Sequence, residues 1–162
     1  MMNSLASFAV CIVTISLGQT SIATLQHDDA AMNSRGEHVM GFDQHKTTHH
    51  FVLTKSGGII HVTANDSTDT TSQDHIRIHL QHMSKAFAEG DFTDPHDVHA
   101  ETPPGVPVMK ARRNKISYRF DSIPSGGKVV INTEDPKALH AVHEYLQYQI
   151  REHKTGDSVE VQ

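Results

Sequence analysis

The sequence has 162 residues, 36% of them apolar, with 14 Lys and Arg against 19 Asp and Glu for a net charge of −5. That length suits one domain once an export signal is set aside, and the lack of a basic block and of Trp argues against a nucleic-acid groove or an anionic-membrane patch. The anomaly is histidine, present 14 times.

Residues Met1 to Ala23 contain no charged side chain, run apolar from Leu5 to Leu17 and end in Ser21-Ile22-Ala23, a small-x-small cleavage pattern. They read as a signal peptide over 1–23, since an apolar run of roughly 13 positions is short for a bilayer-spanning helix. The expected product is periplasmic or secreted and free of the membrane after cleavage. Cys11, the only cysteine, lies inside this segment. The mature chain is therefore expected to lack disulfides, thiolate-ligated zinc or iron–sulfur sites and covalently attached haem.

Residues 24–46 mix Asp, Gln, Asn, Ser and His without apolar period and are expected to be a flexible lead-in. A single domain is expected over 47–157. "THHFVLTKSGGIIHVTAND" is an extended run, a Ser56-Gly57-Gly58 turn and a second β-branched run, which signals a hairpin. Thr71 to Glu89 reads as a helix: Thr71-x-x-Asp74 resembles a capping box, Ile76, Leu80, Met83 and Phe87 form an apolar stripe, and Gly90 ends it. The unit over 47–90 is thus ββα. Residues 91–114 are a Pro-rich connection, expected to be neither helix nor central strand.

The second half, 115–157, repeats the first. Ile116 to Ile123 alternates, Ser125-Gly126-Gly127 turns into "KVVINT", and Asp135 with Pro136 opens a helix running to about Lys154. Ser-Gly-Gly recurs 69 positions later, with Phe120 standing where Phe51 stood. This predicts an α+β fold: a two-layer sandwich from a duplicated ββα unit, with a four-stranded antiparallel sheet carrying two helices on one face and a short tail at 158–162. Exposed strand edges in such a sheet favour a homodimer.

Chemistry is expected at the histidines. His75, His79 and His82 are spaced four and three along the first helix, so they form one stripe beside the apolar one, and imidazoles at that spacing can grip a divalent ion. His143 falls on the apolar face of the second helix and His153 near it, while His49 shares a strand face with Phe51 and His50 points the other way. Taken singly each is more often structural than a ligand. Their convergence from three elements points to a metal site drawn from His49, His50, His75, His79, His82 and His143, holding copper, zinc or non-covalent haem, with Met83 and Met109 as candidate thioethers. The alternative is a pH-responsive binding module, since protonating all 14 histidines would carry the formal charge from −5 to +9. No nucleophile elbow, phosphate loop, H-E-x-x-H or other catalytic signature is present, so a small enzyme of unassigned reaction is the least favoured reading.

"MGFDQHKTTHHFVLTKSGGIIHVTAND", "IRIHLQHMSKAFAEGDF", "PPGVPVMK", "ISYRFDSIPSGGKVVI" and "ALHAVHEYLQYQIREHKTGD" resemble a family of small exported bacterial proteins that often carry the label aspartate carbamoyltransferase. The resemblance spans about Met40 to Asp157, and the matching positions include His49, His50, His79, His82, His99, Met109, His143 and His153. The label conflicts with the chain, because that enzyme needs a longer two-domain α/β architecture and a Ser-x-Arg-Thr phosphate motif. The resemblance therefore implies export and a shared fold, without that activity.

Overall fold

The computed structural model describes residues 21–162, and the export signal read over 1–23 lies almost wholly outside them. The elements in chain order are α1 (Ser21–Met40), β1 (Thr47–Thr54), β2 (Gly57–Ala64), α2 (Thr70–Glu89), α3 (Thr93–His99), α4 (Val106–Ala111), β3 (Ile116–Ile123), β4 (Gly126–Thr133) and α5 (Pro136–Glu152). The four strands form one antiparallel sheet in the order β1-β2-β4-β3. Among the described residues no helix is long and apolar enough to cross a membrane.

The duplication is visible as a pseudo-twofold at the central pair. Strands β2 and β4 pair about Ile60 and Val129, and Gly57 lies opposite Asn132 as Gly126 lies opposite Thr63. The amide of Ala64 donates to Ser125 O and that of Thr133 to Ser56 O, both at 2.8 Å. The expected Ser-Gly-Gly turns are corrected in one respect. The glycines open β2 and β4 rather than making the bend, and they serve close approach: a Cβ on Gly57 would collide with the Ile131 carbonyl and one on Gly126 with the Val62 carbonyl.

Each helix crosses to the other hairpin. Helix α2 packs mainly across β4 and β3, and α5 across β1 and β2. The core between the layers is built from Phe51, Leu53, Ile60, Val62, Val129 and Ile131 of the sheet, Ile76, Leu80 and Phe87 of α2, and Val142, Leu146 and Ile150 of α5. The stripe expected on α2 is therefore the buried one. Its start differs from expectation: Asp69, not Thr71, caps the helix, accepting from the Ser72 amide at 3.0 Å and the Ser72 hydroxyl at 2.7 Å, while Gly90 ends it with φ +82°. Asp135 caps α5 as expected, accepting from the amides of Lys137 and Ala138.

Three segments depart from expectation. Residues 24–46 are not without regular structure: most of them belong to α1, and Gln44–Lys46 form a 3-10 turn. Helix α1 has too few apolar residues to show a period, and it is held from outside, by Arg35 Nε donating to Val98 O at 2.9 Å and by burial of Met32. Residues 91–114 contain α3 and α4, because Pro95 and Pro107 fall within the first turns, where a missing amide costs no helical hydrogen bond. The tail also docks: the Gln162 amide donates to Leu53 O at 3.0 Å and Gln147 Nε2 to Val159 O at 3.0 Å, so β1 has cover on its outer side.

Candidate functional site

Beneath α1, between the sheet and the ends of α2, α3 and α5, lies a cavity of about 50 Å³. Five segments each bring a polar or soft side chain to it: Met40 from the end of α1, His49 from β1, His79 and Met83 from α2, His99 from the end of α3, and His153 just past α5. Its remaining walls are largely apolar, with Phe51, Ile60 and Val62 from the sheet and Val98 from α3. The rings are close together. His49 and His153 stack with centroids 5.5 Å apart, His99 meets His153 edge-on at 5.3 Å, and Phe42 lies 6.1 Å from His49 and 5.8 Å from His79.

Burial sets the charge state of this cluster. Removal from water, reinforced by repulsion from neighbouring imidazoles, lowers His49 and His79 to about 4 and His153 to about 3. His99 is lowered by burial as well, against an opposing hydrogen bond to Gln149. The imidazoles are thus neutral at pH 7, the form that offers a lone pair to an acceptor role or a metal. His99 Nε2 lies 3.2 Å from Gln149 Oε1, and with the amide in this orientation the ring carries its proton on Nε2 and its lone pair on Nδ1. That Nδ1, His49 Nε2 and Gln149 Nε2 are all buried without a protein partner. Asp94, the carboxylate at the rim, has its pKa raised by burial, and Oδ2 lies 3.8 Å from His82 Nδ1.

The structure divides the six expected ligands. Only His49 and His79 reach the cavity. His75 and His82 are exposed on α2, because the stripe beside the apolar face turns outward at both ends and only its middle member is tucked under α1. His50 points to the open face of the sheet, where it stacks on its cross-strand neighbour His61 at 6.1 Å. Its Nδ1 lies 2.8 Å from Asp157 Oδ1, and Asp157 Oδ2 accepts from the Phe51 amide and the Thr155 hydroxyl.

His143 has a structural task. Its Nε2 lies 2.9 Å from Thr54 O and 3.0 Å from Gly57 O, so one N–H closes the first hairpin against α5. The equivalent place in the other half holds Arg77, which donates to Ile123 O at 3.1 Å, Pro124 O at 2.7 Å and Gly126 O at 3.2 Å. Of the two candidate thioethers Met83 lines the cavity, whereas Met109 is sealed in the core away from it. The combination of His99, His153 and Met40 with His49 and His79 escapes sequence geometry, because it depends on how α1 and α3 fold back. Among the described residues no three His, Cys, Asp or Glu side chains already converge as a metal-binding group. Comparison with family models, with curated proteins and with solved structures found no match to this chain.

Proposed function

We propose that the protein is an exported domain that binds a metal ion in the imidazole-lined cavity, by a ligand set different from the one its helical spacing suggests. The observation that carries this reading is the pair of buried ring nitrogens without protein partners, His49 Nε2 and His99 Nδ1, in one cavity with the neutral rings of His79 and His153. A buried polar atom left unpaired costs roughly 1–3 kcal/mol, and an ion would turn that cost into coordination. A haem is disfavoured by size, since sites for molecules of that class run to hundreds of Å³ against about 50 Å³ here. Export is supported by the uncharged apolar segment ending at Ala23. Cleavage there would leave Met32, Arg35 and Met40, the contacts of α1 described above, in the mature chain.

A pH-responsive module is the second reading, favoured by the same burial, which disfavours protonation of His49, His79 and His153 in the folded chain. Thermal melts at fixed pH 7 with and without Cu(I), Cu(II) and Zn(II), alongside elemental analysis, separate the two. A saturable rise in Tm near one equivalent, reversed by chelator and lost in His49→Ala with His99→Ala, is expected. A protein that binds none of these ions, yet melts at a pH-dependent temperature, would leave only the second reading.

A further inference from the structure

The donor set at the cavity also discriminates between ions. We infer that the cavity is a copper(I) site, in which the imidazole nitrogens of His49 and His99 are joined by thioether sulfur from Met40 or Met83. This rests on the metal-binding reading above and goes further by naming the ion and the sulfur ligands.

Three observations carry it. The first is ligand type: the cavity takes neutral nitrogen donors from four segments and thioethers from two, and thioether is a soft ligand that selects Cu(I), whereas hard cations favour carboxylate and water. The second is coordination number. Structural zinc asks for four ligands in a tetrahedron, and no three His, Cys, Asp or Glu side chains converge among the described residues. Copper(I) is satisfied by two or three donors, so two ring nitrogens and one sulfur of the cavity lining would suffice. The third is charge. Desolvation cost rises with the square of the ion's charge, so a monovalent ion costs about a quarter of a divalent one of the same size in an apolar cavity. The ring ligands are uncharged, and Asp94 is the one carboxylate among the lining residues. A single carboxylate balances a single positive charge.

The test uses the full chain carrying Cys11→Ser, so that any sulfur ligation comes from thioether, under anaerobic conditions. Cu(I) is supplied in competition with a chromophoric chelator, Zn(II) is titrated separately, and the copper-loaded protein is examined by X-ray absorption. The expected result is one equivalent of Cu(I), a mixed nitrogen and sulfur shell, and weak Zn(II) binding. Met40→Leu with Met83→Leu, which keeps side-chain volume, should lower Cu(I) affinity at least tenfold and leave any Zn(II) binding unchanged. Selenomethionine labelling gives a second readout that needs no variant, a copper–selenium distance in place of copper–sulfur. Tight Cu(I) binding with a nitrogen-only shell, or indifference to the double Met variant, overturns the thioether assignment. Preferential Zn(II) binding overturns the inference but keeps the metal-binding reading, and a protein that retains neither ion overturns both.

Discussion

The two ends of the helix layer are related by the internal duplication and have been put to different uses. A shift of 69 residues superposes the hairpins and one of 66 the helices, so His49 corresponds to Tyr118 and His153 to Phe87. The matching ring pairs have matching separations: His49 and His153 lie 5.5 Å apart, Phe87 and Tyr118 5.7 Å. Around Phe87 the space is filled by Phe92, stacked at 4.4 Å, and by Tyr145 at 6.0 Å. Around His153 it is a cavity lined by imidazoles. One scaffold position thus holds a packed aromatic core at one end and, at the other, rings that burial keeps uncharged. The first end is filled by aromatic rings, with the Tyr118 hydroxyl buried and unpaired among them, and the second keeps buried ring nitrogens around a cavity.

The largest test of this contrast is acid. The folded values of about 4, about 4 and about 3 for His49, His79 and His153 lie below the ordinary 6.5. Above pH 6.5 both folded and unfolded chains carry these rings neutral, and nothing is lost. Between pH 6.5 and about 4 the unfolded chain takes up protons that the folded one refuses, so stability falls as pH falls, and it levels off once the folded rings also protonate. The three together should remove on the order of 5 kcal/mol, counting roughly 1.4 kcal/mol for each pH unit of displacement and discounting for coupling. Urea midpoints measured from pH 7.5 to 4.5 should show this slope. His49→Tyr with His153→Phe, which gives this end the residues of the other, should flatten it and lower metal uptake together. An unchanged slope would mean that the cluster opens to solvent before it titrates.

Next in size is the aromatic end itself. Phe87 is 1% exposed at the centre of three ring contacts, and Phe87→Ala should cost about 3–5 kcal/mol in chemical denaturation at pH 7. His153→Ala, at the corresponding place, should cost less than half of that, because the space around it is already incompletely packed. Equal losses would contradict the division of labour. The smallest effect concerns the two clamps. Arg77→Ala removes three hydrogen bonds to the second hairpin and His143→Ala one shared N–H from the first. Roughly 2 kcal/mol for Arg77 and roughly 1 kcal/mol for His143 are expected, and metal uptake should survive in His143→Ala, since His143 stands outside the cavity.

Local pattern made the scaffold legible. The extended runs of β1 and β2, the alternation of β3, the apolar stripe of α2 and the Asp135-Pro136 start of α5 are each local patterns, the two Gly-Gly pairs recur 69 positions apart, and each element is where the sequence places it. Helix α1 is not legible because it has no apolar stripe of its own and is fixed by contacts to Val98 and beyond. Helices α3 and α4 are hidden by prolines that read as breakers yet occupy first turns. The site suffers from the same limit. His75, His79 and His82 look like a unit along the chain, but the cavity selects one of them and completes itself with His99 and His153, which share no local pattern with His49 and are assembled only by the packing of α1, α3 and α5 around it.

The crossing of each helix onto the opposite hairpin has a consequence for synthesis. As the chain leaves the ribosome from its N-terminus, β1, β2 and α2 emerge while β3 and β4, the strands that α2 mainly covers, are still to be made. The apolar face carrying Ile76, Leu80 and Phe87 must therefore wait uncovered for tens of residues of further translation. Each ββα unit leaves most of its helix face to the other hairpin, so the core between the layers is completed only when the second hairpin is present. On the export reading proposed above that delay would be useful, because a polypeptide that completes its core late stays threadable for longer.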